Sequence, residues 1–202
     1  MNIHVAHHTS IDSVALAQIF TGARTHNGFL DRPVSDELLK EAVEFAKMGP
    51  TSVNQSPLRI LFLRSKAAKE RLRPALSAGN VDKTMAAPVV AITAYDEEFY
   101  EHLPFLFPHA DAKPWFSGNA DFAARSAFQN GTLQVAYLII ALRAVGLDAG
   151  PMTGFDREKA DAEFFPEGRV KSNVLINIGY GDASKLFPRS PRFAFDQIAK
   201  II

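Results

Sequence analysis

The 202-residue chain predicts an α+β domain, a modest sheet packed by helices. Three observations carry that expectation. Segments with helical spacing outweigh those with strand character. The strand segments lie far apart, with helices between them. The longest helical stretch, residues 119–145, is apolar on more than one face and rich in Ala, Ser and Gly. A helix apolar around so much of its circumference belongs at the centre of a domain or of a dimer.

From the N-terminus, Ile11, Val14, Ala15, Leu16, Ile19 and Phe20 recur with helical spacing, and Gly22 can end that helix. Arg24-Thr25-His26-Asn27-Gly28 follows as a polar, turn-prone element. Ser35 can cap a helix over 36–48, with Asp36 and Glu37 in its first turn. Leu38, Leu39, Ala42, Val43, Phe45 and Ala46 form its buried face. Gly49–Pro57 is then a rigid polar loop without an acidic side chain, held by Pro50 and Pro57. Residues 58–63 read as a short buried strand, 66–76 as a helix with a basic face, and 79–83 as a polar turn. Residues 88–95 are a second strand. Residues 103–118 hold Pro104, Pro108 and Pro114 among Phe105, Phe107, Trp115 and Phe116, a long aromatic loop of the kind that serves as a lid. In the 119–145 helix, Phe122, Phe128, Leu133, Tyr137, Leu138, Ile140 and Ala141 are expected to be buried, with Gly146 as C-cap. Residues 147–153 are extended, 156–164 a short helix, 171–180 the clearest strand and 181–202 a tail.

Composition narrows the function. Lys+Arg and Asp+Glu both number 22, so nothing draws the chain toward nucleic acid or an anionic membrane. The absence of cysteine excludes disulfides, thiolate metal sites and a cysteine nucleophile. No apolar run reaches the ~20 residues that cross a bilayer, and no signal peptide is expected, which fits the cytoplasm. The whole chain, 1–202, is expected to form one domain. His4, His7 and His8 have metal-compatible spacing but read as solvated, so no metal site is expected. Gly179-Tyr180-Gly181-Asp182-Ala183-Ser184 approaches a dinucleotide fingerprint but lacks its last glycine and the chain for a βαβ unit; it reads as a turn.

What remains are scattered polar clusters: Arg24–Asn27, Pro50–Gln55, Asn80–Lys83, Pro151–Gly154, and Arg189 with Arg192. Each alone has a structural reading. Together they suit one ligand that is anionic at one end and flat at the other. Arg24, Arg189 and Arg192 can pair with a phosphate. Lys83 and the amides can hydrogen-bond a heterocycle, and Pro151 and Gly154 can bring backbone close to a ring.

On these residues the chain resembles the FMN-dependent nitroreductase family from about Leu16 to Phe195. The likeness is carried by Arg24-Thr25-His26-Asn27-Gly28, Gly49-Pro50-Thr51-Ser52-Val53-Asn54 with Ser56-Pro57, Gly150-Pro151-Met152-Thr153-Gly154-Phe155-Asp156, and Asn177-Ile178-Gly179-Tyr180-Gly181-Asp182. Glu98-Phe99-Tyr100-Glu101 and Leu106-Phe107-Pro108-His109 make it similar to the HadB/RutE branch, which contains the malonic semialdehyde reductases of pyrimidine degradation. The resemblance implies a nitroreductase-like fold with a central mixed sheet and a long core helix, in an intertwined homodimer with FMN at the subunit interface. It implies that Arg24, Arg189 and Arg192 hold the phosphate, that His26 lines the flavin, and that Thr51, Ser52 and Asn54 reach the neighbouring subunit's FMN. Pro151, Met152 and Gly154 would stand beside the ring, and Asn80 and Lys83 near its pyrimidine edge. Two departures from the wider family are Thr-His-Asn-Gly after the first arginine and Thr153 where many nitroreductases are acidic.

The implied activity is transfer of a hydride from NADPH or NADH, through FMN, to malonic semialdehyde, with no separate catalytic side chain assigned. His109 and Lys113 are candidates for the substrate carboxylate. Two other readings stand beside it: a broad nitro or quinone reductase, and a flavin-binding protein without turnover.

Overall fold

In the computed structural model, which describes residues 9–202, four strands form a sheet in the order β1-β2-β4-β3. They are β1 (Leu58–Leu63), β2 (Val89–Asp96), β3 (Asp148–Met152) and β4 (Val170–Gly179). His4, His7 and His8, read from the sequence as solvated, lie outside the described residues. All three strand pairings are antiparallel. The sheet expected to be mixed has, among the described residues, one parallel pairing only, the isolated bridge between Thr25 and Ala149. β2 and β3 both run antiparallel to β4, which lies between them, so the connection from β2 to β3 through the long helical segment crosses the sheet without making a parallel pair.

Nine helices are described. α1 (Ser13–Leu16) runs into a wider π turn (Ala17–Thr21). α2 (Asp36–Ala46), α3 (Lys66–Leu72) and α4 (Ala78–Ala86) follow, then α5 (Leu103–Leu106) and α6 (Pro114–Ser117). α7 (Ala120–Ala144), α8 (Arg157–Phe164) and α9 (Phe195–Ile198) complete the set. Side-chain caps start several of them: Ser35, Ser65, Asn119 and Asp156 each accept a backbone N–H of the first turn.

The period of two along β2 separates two cores. Val89 and Ala91 face α2 and α7, packing with Ala42, Leu138, Leu142, Ile176 and Ile178. Val90 and Ile92 face the other way, onto Leu72, Leu76, Phe155, Phe165 and Leu175. A third, smaller core joins Phe99, Leu103, Ala112 and Phe116 to Ala123 and Ala127 of α7.

Three expectations change. Residues 79–83 are not a turn but lie within α4, which Gly79 and Asn80 do not prevent because Val81 packs on the second core and Thr84 is fully buried. The 103–118 segment is not a free loop: α5 and α6 each carry proline in the first turn, where its missing N–H costs nothing, and Phe99 and Phe116 meet edge to face at 4.9 Å. Phe122, Phe128 and Leu133 of α7 are 43–44% exposed rather than buried, and Phe45 of α2 is 54% exposed. Phe122 stacks on Phe116 and Phe128 meets Tyr95 edge to face, and the rest of each ring is open. Among the described residues, no helix is long and apolar enough to cross a membrane.

Candidate functional site

The sheet stops at β3, and the Arg24–Asn27 segment lies along that edge. Thr25 bridges to Ala149, and His26 N–H donates to the Ala149 carbonyl at 3.3 Å. The approach needs glycine: a β-carbon on Gly150 would stand 2.3 Å from the His26 carbonyl oxygen. The His26 ring turns inward. Its Nε2 is 3.4 Å from Asp148 Oδ1, and its buried Nδ1, without a hydrogen-bond partner, rests against Gly181, where a β-carbon would stand 2.1 Å away. Gly181 N–H in turn donates to Asp148 Oδ2 at 2.8 Å. The ring braces the edge, and what the segment presents outward at this position is backbone.

α4 closes on the same edge. Asn80 Nδ2 donates to the Gly154 carbonyl at 2.7 Å, and Ser77 N–H reaches the same oxygen at 3.2 Å. A β-carbon on Gly154 would lie 2.6 Å from Asn80 Nδ2. Lys83 Nζ stands 3.5 Å from Asn27 Oδ1, and Thr84 Oγ1 3.7 Å from Met152 Sδ. Arg24–Asn27, Asn80–Lys83 and Pro151–Gly154, far apart in sequence, thus share one strip of surface.

The arginines join it through a crossing of the two chain ends. Arg24 Nη2 donates to the Phe187 carbonyl at 2.5 Å, while Arg189 Nη2 donates back to the carbonyls of Thr21 (2.9 Å) and Ala23 (3.1 Å). A guanidinium has five N–H groups, so each keeps donors beyond these bonds. Arg192 is exposed and bonds only its neighbours' carbonyls, of Ser190 and Pro191, at 3.0 Å.

The Gly49–Pro57 loop goes elsewhere. Val53 (φ 46°), Asn54 (φ 51°) and Ser56 (φ 41°) all adopt the left-handed region, which is costly for a β-branched residue. The loop holds that shape by leaning on α7. Ser52 N–H donates to Asn130 Oδ1 (2.8 Å), Gln55 Nε2 to Ser126 Oγ (3.0 Å), and Leu58 N–H to Gln134 Oε1 (3.0 Å). Tyr137 OH donates to the Pro50 carbonyl at 3.0 Å. Thr51 Oγ1 accepts from Ser56 N–H at 3.2 Å, and Asn54 Nδ2 donates to the Leu106 carbonyl at 2.9 Å. Thr51, Ser52 and Asn54 are therefore tied to the α7–α5 corner and not to the β3 edge. Sequence reasoning passed over Ser126, Asn130 and Gln134; their signal was a run of polar residues four apart, which places them on one side of the helix.

Over that corner lies the 99–118 segment. Lys113 is paired with Glu101 at 2.7 Å, a hydrogen bond that raises its ammonium above the usual lysine range. His109 is exposed, its ring 5.4 Å from that of Phe107. The segment is anchored at Asp96, which is 1% exposed and binds Arg59 (2.6 Å), Arg169 (2.5 Å) and the N–H of Glu98 (3.0 Å). Among the described residues, no group of three or more potential ligands is placed to hold a metal ion.

Comparison with known proteins bears on this geometry. A model of the nitroreductase family matches residues 21–180. A Burkholderia lata protein carrying the name NADH dehydrogenase/NAD(P)H nitroreductase is 57% identical over 193 residues, 96% of this chain and 99% of that protein. Among solved structures, a Bacillus subtilis nitroreductase superposes with a TM-score of 0.83 at 18% identity, over 95% of this chain and 100% of its own. One from Exiguobacterium sibiricum, solved in complex with FMN, gives 0.81 at 22% identity, over 96% and 99%. These two likenesses concern the fold.

Proposed function

The chain belongs to the nitroreductase family, and from that premise we propose that it is an FMN-dependent NAD(P)H oxidoreductase that reduces malonic semialdehyde to 3-hydroxypropionate as a homodimer. The observation that carries the reading is the convergence of Arg24–Asn27, Asn80–Lys83 and Pro151–Gly154 on one sheet edge, with Arg189 crossing beside Arg24.

The residues there fit the cofactor. Arg24 and Arg189 would hold its phosphate with the donors they keep, and Arg192, three positions along the same tail, completes the basic set. Pro151, Met152 and Gly154 would lie against the ring. Asn80 fixes the Gly154 carbonyl, so the adjoining backbone is held in place before any ligand arrives. Lys83 would face the pyrimidine edge, where a cation favours the reduced form. His26 positions the segment from behind. When bound, FMN supplies the redox step, accepting a hydride from NAD(P)H and yielding one to the acceptor. The FMN in the Exiguobacterium structure and the NAD(P)H in the Burkholderia protein's name agree with this assignment.

Thr51, Ser52 and Asn54 serve the neighbouring subunit's site in this reading. One chain then carries two half-sites, the β3 edge and the α7–α5 corner, which a two-fold dimer joins. Exposed Phe122, Phe128 and Leu133 on α7, with Phe187, Phe193, Phe195 and Ile198 on the tail, are apolar surface of the kind such a dimer covers. The full span 1–202 acts as a single FMN-binding domain.

Exposed Phe105 and Trp115 (84% and 54%) favour a second reading, a broad nitro or quinone reductase whose flat acceptors stack on these rings. Anaerobic titration tests both. The purified protein should be yellow and bleach with NADPH or NADH, which a binding protein without turnover would not do. Malonic semialdehyde should then restore the colour faster than a nitroaromatic at equal concentration. Reduced enzyme indifferent to the semialdehyde refutes the leading reading.

A further inference from the structure

The α7–α5 corner contains a cavity of which the cofactor assignment uses only Ser52. It encloses about 370 Å³ and is lined by Ser52, Phe122, Arg125, Ser126, Gln129 and Asn130. All but Phe122 end in hydrogen-bonding groups, and the single formal charge is the positive one of Arg125. Most of the polar groups are engaged already. Asn130 takes Ser52 N–H and gives to the Ser126 carbonyl, and Ser126 Oγ meets Gln55. Arg125 is different. The other arginines of the described residues bind a carboxylate, a carbonyl or, for Arg32, the face of Tyr180. Arg125 makes no such contact among the described residues, and no acid lines its cavity.

We propose that this cavity is the acceptor's carboxylate subsite, with Arg125 as the residue that receives the carboxylate. The inference rests on the reading that the Thr51–Asn54 loop faces FMN in the dimer, because Ser52 places the cavity beside that loop. A guanidinium presents a planar fork of donors that matches a carboxylate. One cation matches one carboxylate, so the site favours small carboxylates over neutral compounds of the same shape. Gln129 and the hydroxyls suit the polar remainder of a semialdehyde better than a flat apolar ring. Lys113, the lysine the sequence suggested for this task, is neutralised by Glu101. In the reaction the aldehyde carbon gains a hydride and its oxygen a proton, two electrons in all, supplied by NAD(P)H. The carboxylate is unchanged, so Arg125 determines specificity through binding.

The experiment compares wild-type holoenzyme with Arg125→Gln and Arg125→Lys. Malonate, which cannot be reduced, probes binding alone, read by thermal shift and by perturbation of the flavin spectrum, with malonamide as neutral control. 4-Nitrobenzoate and 4-nitrobenzamide probe turnover of the same reducible group in an anionic and a neutral compound. Arg125→Gln should weaken malonate about 10- to 100-fold and raise KM for the nitrobenzoate by a similar factor, with kcat within about twofold. Malonamide and the nitrobenzamide should not respond, and Arg125→Lys should fall between. Unchanged malonate binding in Arg125→Gln, or an equal loss for the neutral compounds, overturns the proposal. A colourless protein that malonate stabilises only when Arg125 is present would overturn the cofactor reading and leave the subsite standing.

Discussion

Replacing Asp96 by asparagine should destabilise the protein by about 2–4 kcal/mol. The carboxylate is 1% exposed and accepts from two arginines, Arg59 at 2.6 Å and Arg169 at 2.5 Å, each about one-third exposed. Asparagine keeps the shape but leaves two guanidinium groups without an anion. Solvent reaches both arginines and takes over part of their charge, which puts the cost at the lower end for a broken buried pair. For a chain of this size the melting temperature should fall by roughly 5–15 °C. Acid provides an independent check. Burial pushes the Asp96 carboxyl up, but the Arg169 hydrogen bonds and the Arg59 charge outweigh burial and hold it below the ordinary carboxylate value. A carboxyl held lower in the folded than in the unfolded state contributes fully above the unfolded value, about 4. That contribution is lost as pH falls through the folded value. Urea unfolding of wild type and Asp96→Asn should therefore differ most near neutrality, and the difference should shrink as pH drops below about 4. A neutral-pH difference under about 0.5 kcal/mol, or one that widens in acid, would refute the argument.

Four further outcomes are expected. Gly49→Ala would set a β-carbon 2.0 Å from Tyr137 Cδ2 and should cost about 1–3 kcal/mol in a thermal melt. Tyr137→Phe, which loses only the bond to the Pro50 carbonyl, should cost about 1 kcal/mol or less. Gly181→Ala would drive a β-carbon to 2.1 Å from His26 Nδ1; the flavin-to-protein ratio after purification should drop, and an unchanged ratio would remove His26 from the support of the site. Asn54→Ala loses the bond to Leu106 and keeps a left-handed backbone that alanine resists. Flavin content and dimer fraction by gel filtration should fall together, while Asn54→Gly, which tolerates the backbone, isolates the side chain's share.

Much of the fold was legible because period alone separates its parts. The alternation in β2 and the long apolar run of α7 are visible in the residues. α4 was misread because Gly79 and Asn80 are poor helix formers, and only packing behind the helix overrides them. The small helices of the 99–118 segment were hidden by prolines that read as breakers but stand in first turns. The exposure of Phe122 and Phe128 could not be read, since apolar residues look the same whether they face a core or a second chain. At the site, Arg24, Lys83 and Gly154 announced themselves by residue type. Ser77 and Asp148 did not, because Ser77 meets Gly154, 77 positions on, and Asp148 meets His26 and Gly181, 122 and 33 positions away. Arg125 was silent for a related reason: an arginine without a partner is defined by what is missing around it.

The stripe of Ser126, Asn130 and Gln134 ties three successive turns of α7 to fixed points on the loop or on β1. The helix cannot rotate or slip by a turn without orphaning buried polar groups. In the proposed dimer, the loop's reach into the neighbouring subunit is set by the same rigid body. Association and cofactor capture are then a single thermodynamic event. Dilution that separates the subunits would also release the flavin, and excess flavin would draw the subunits back together.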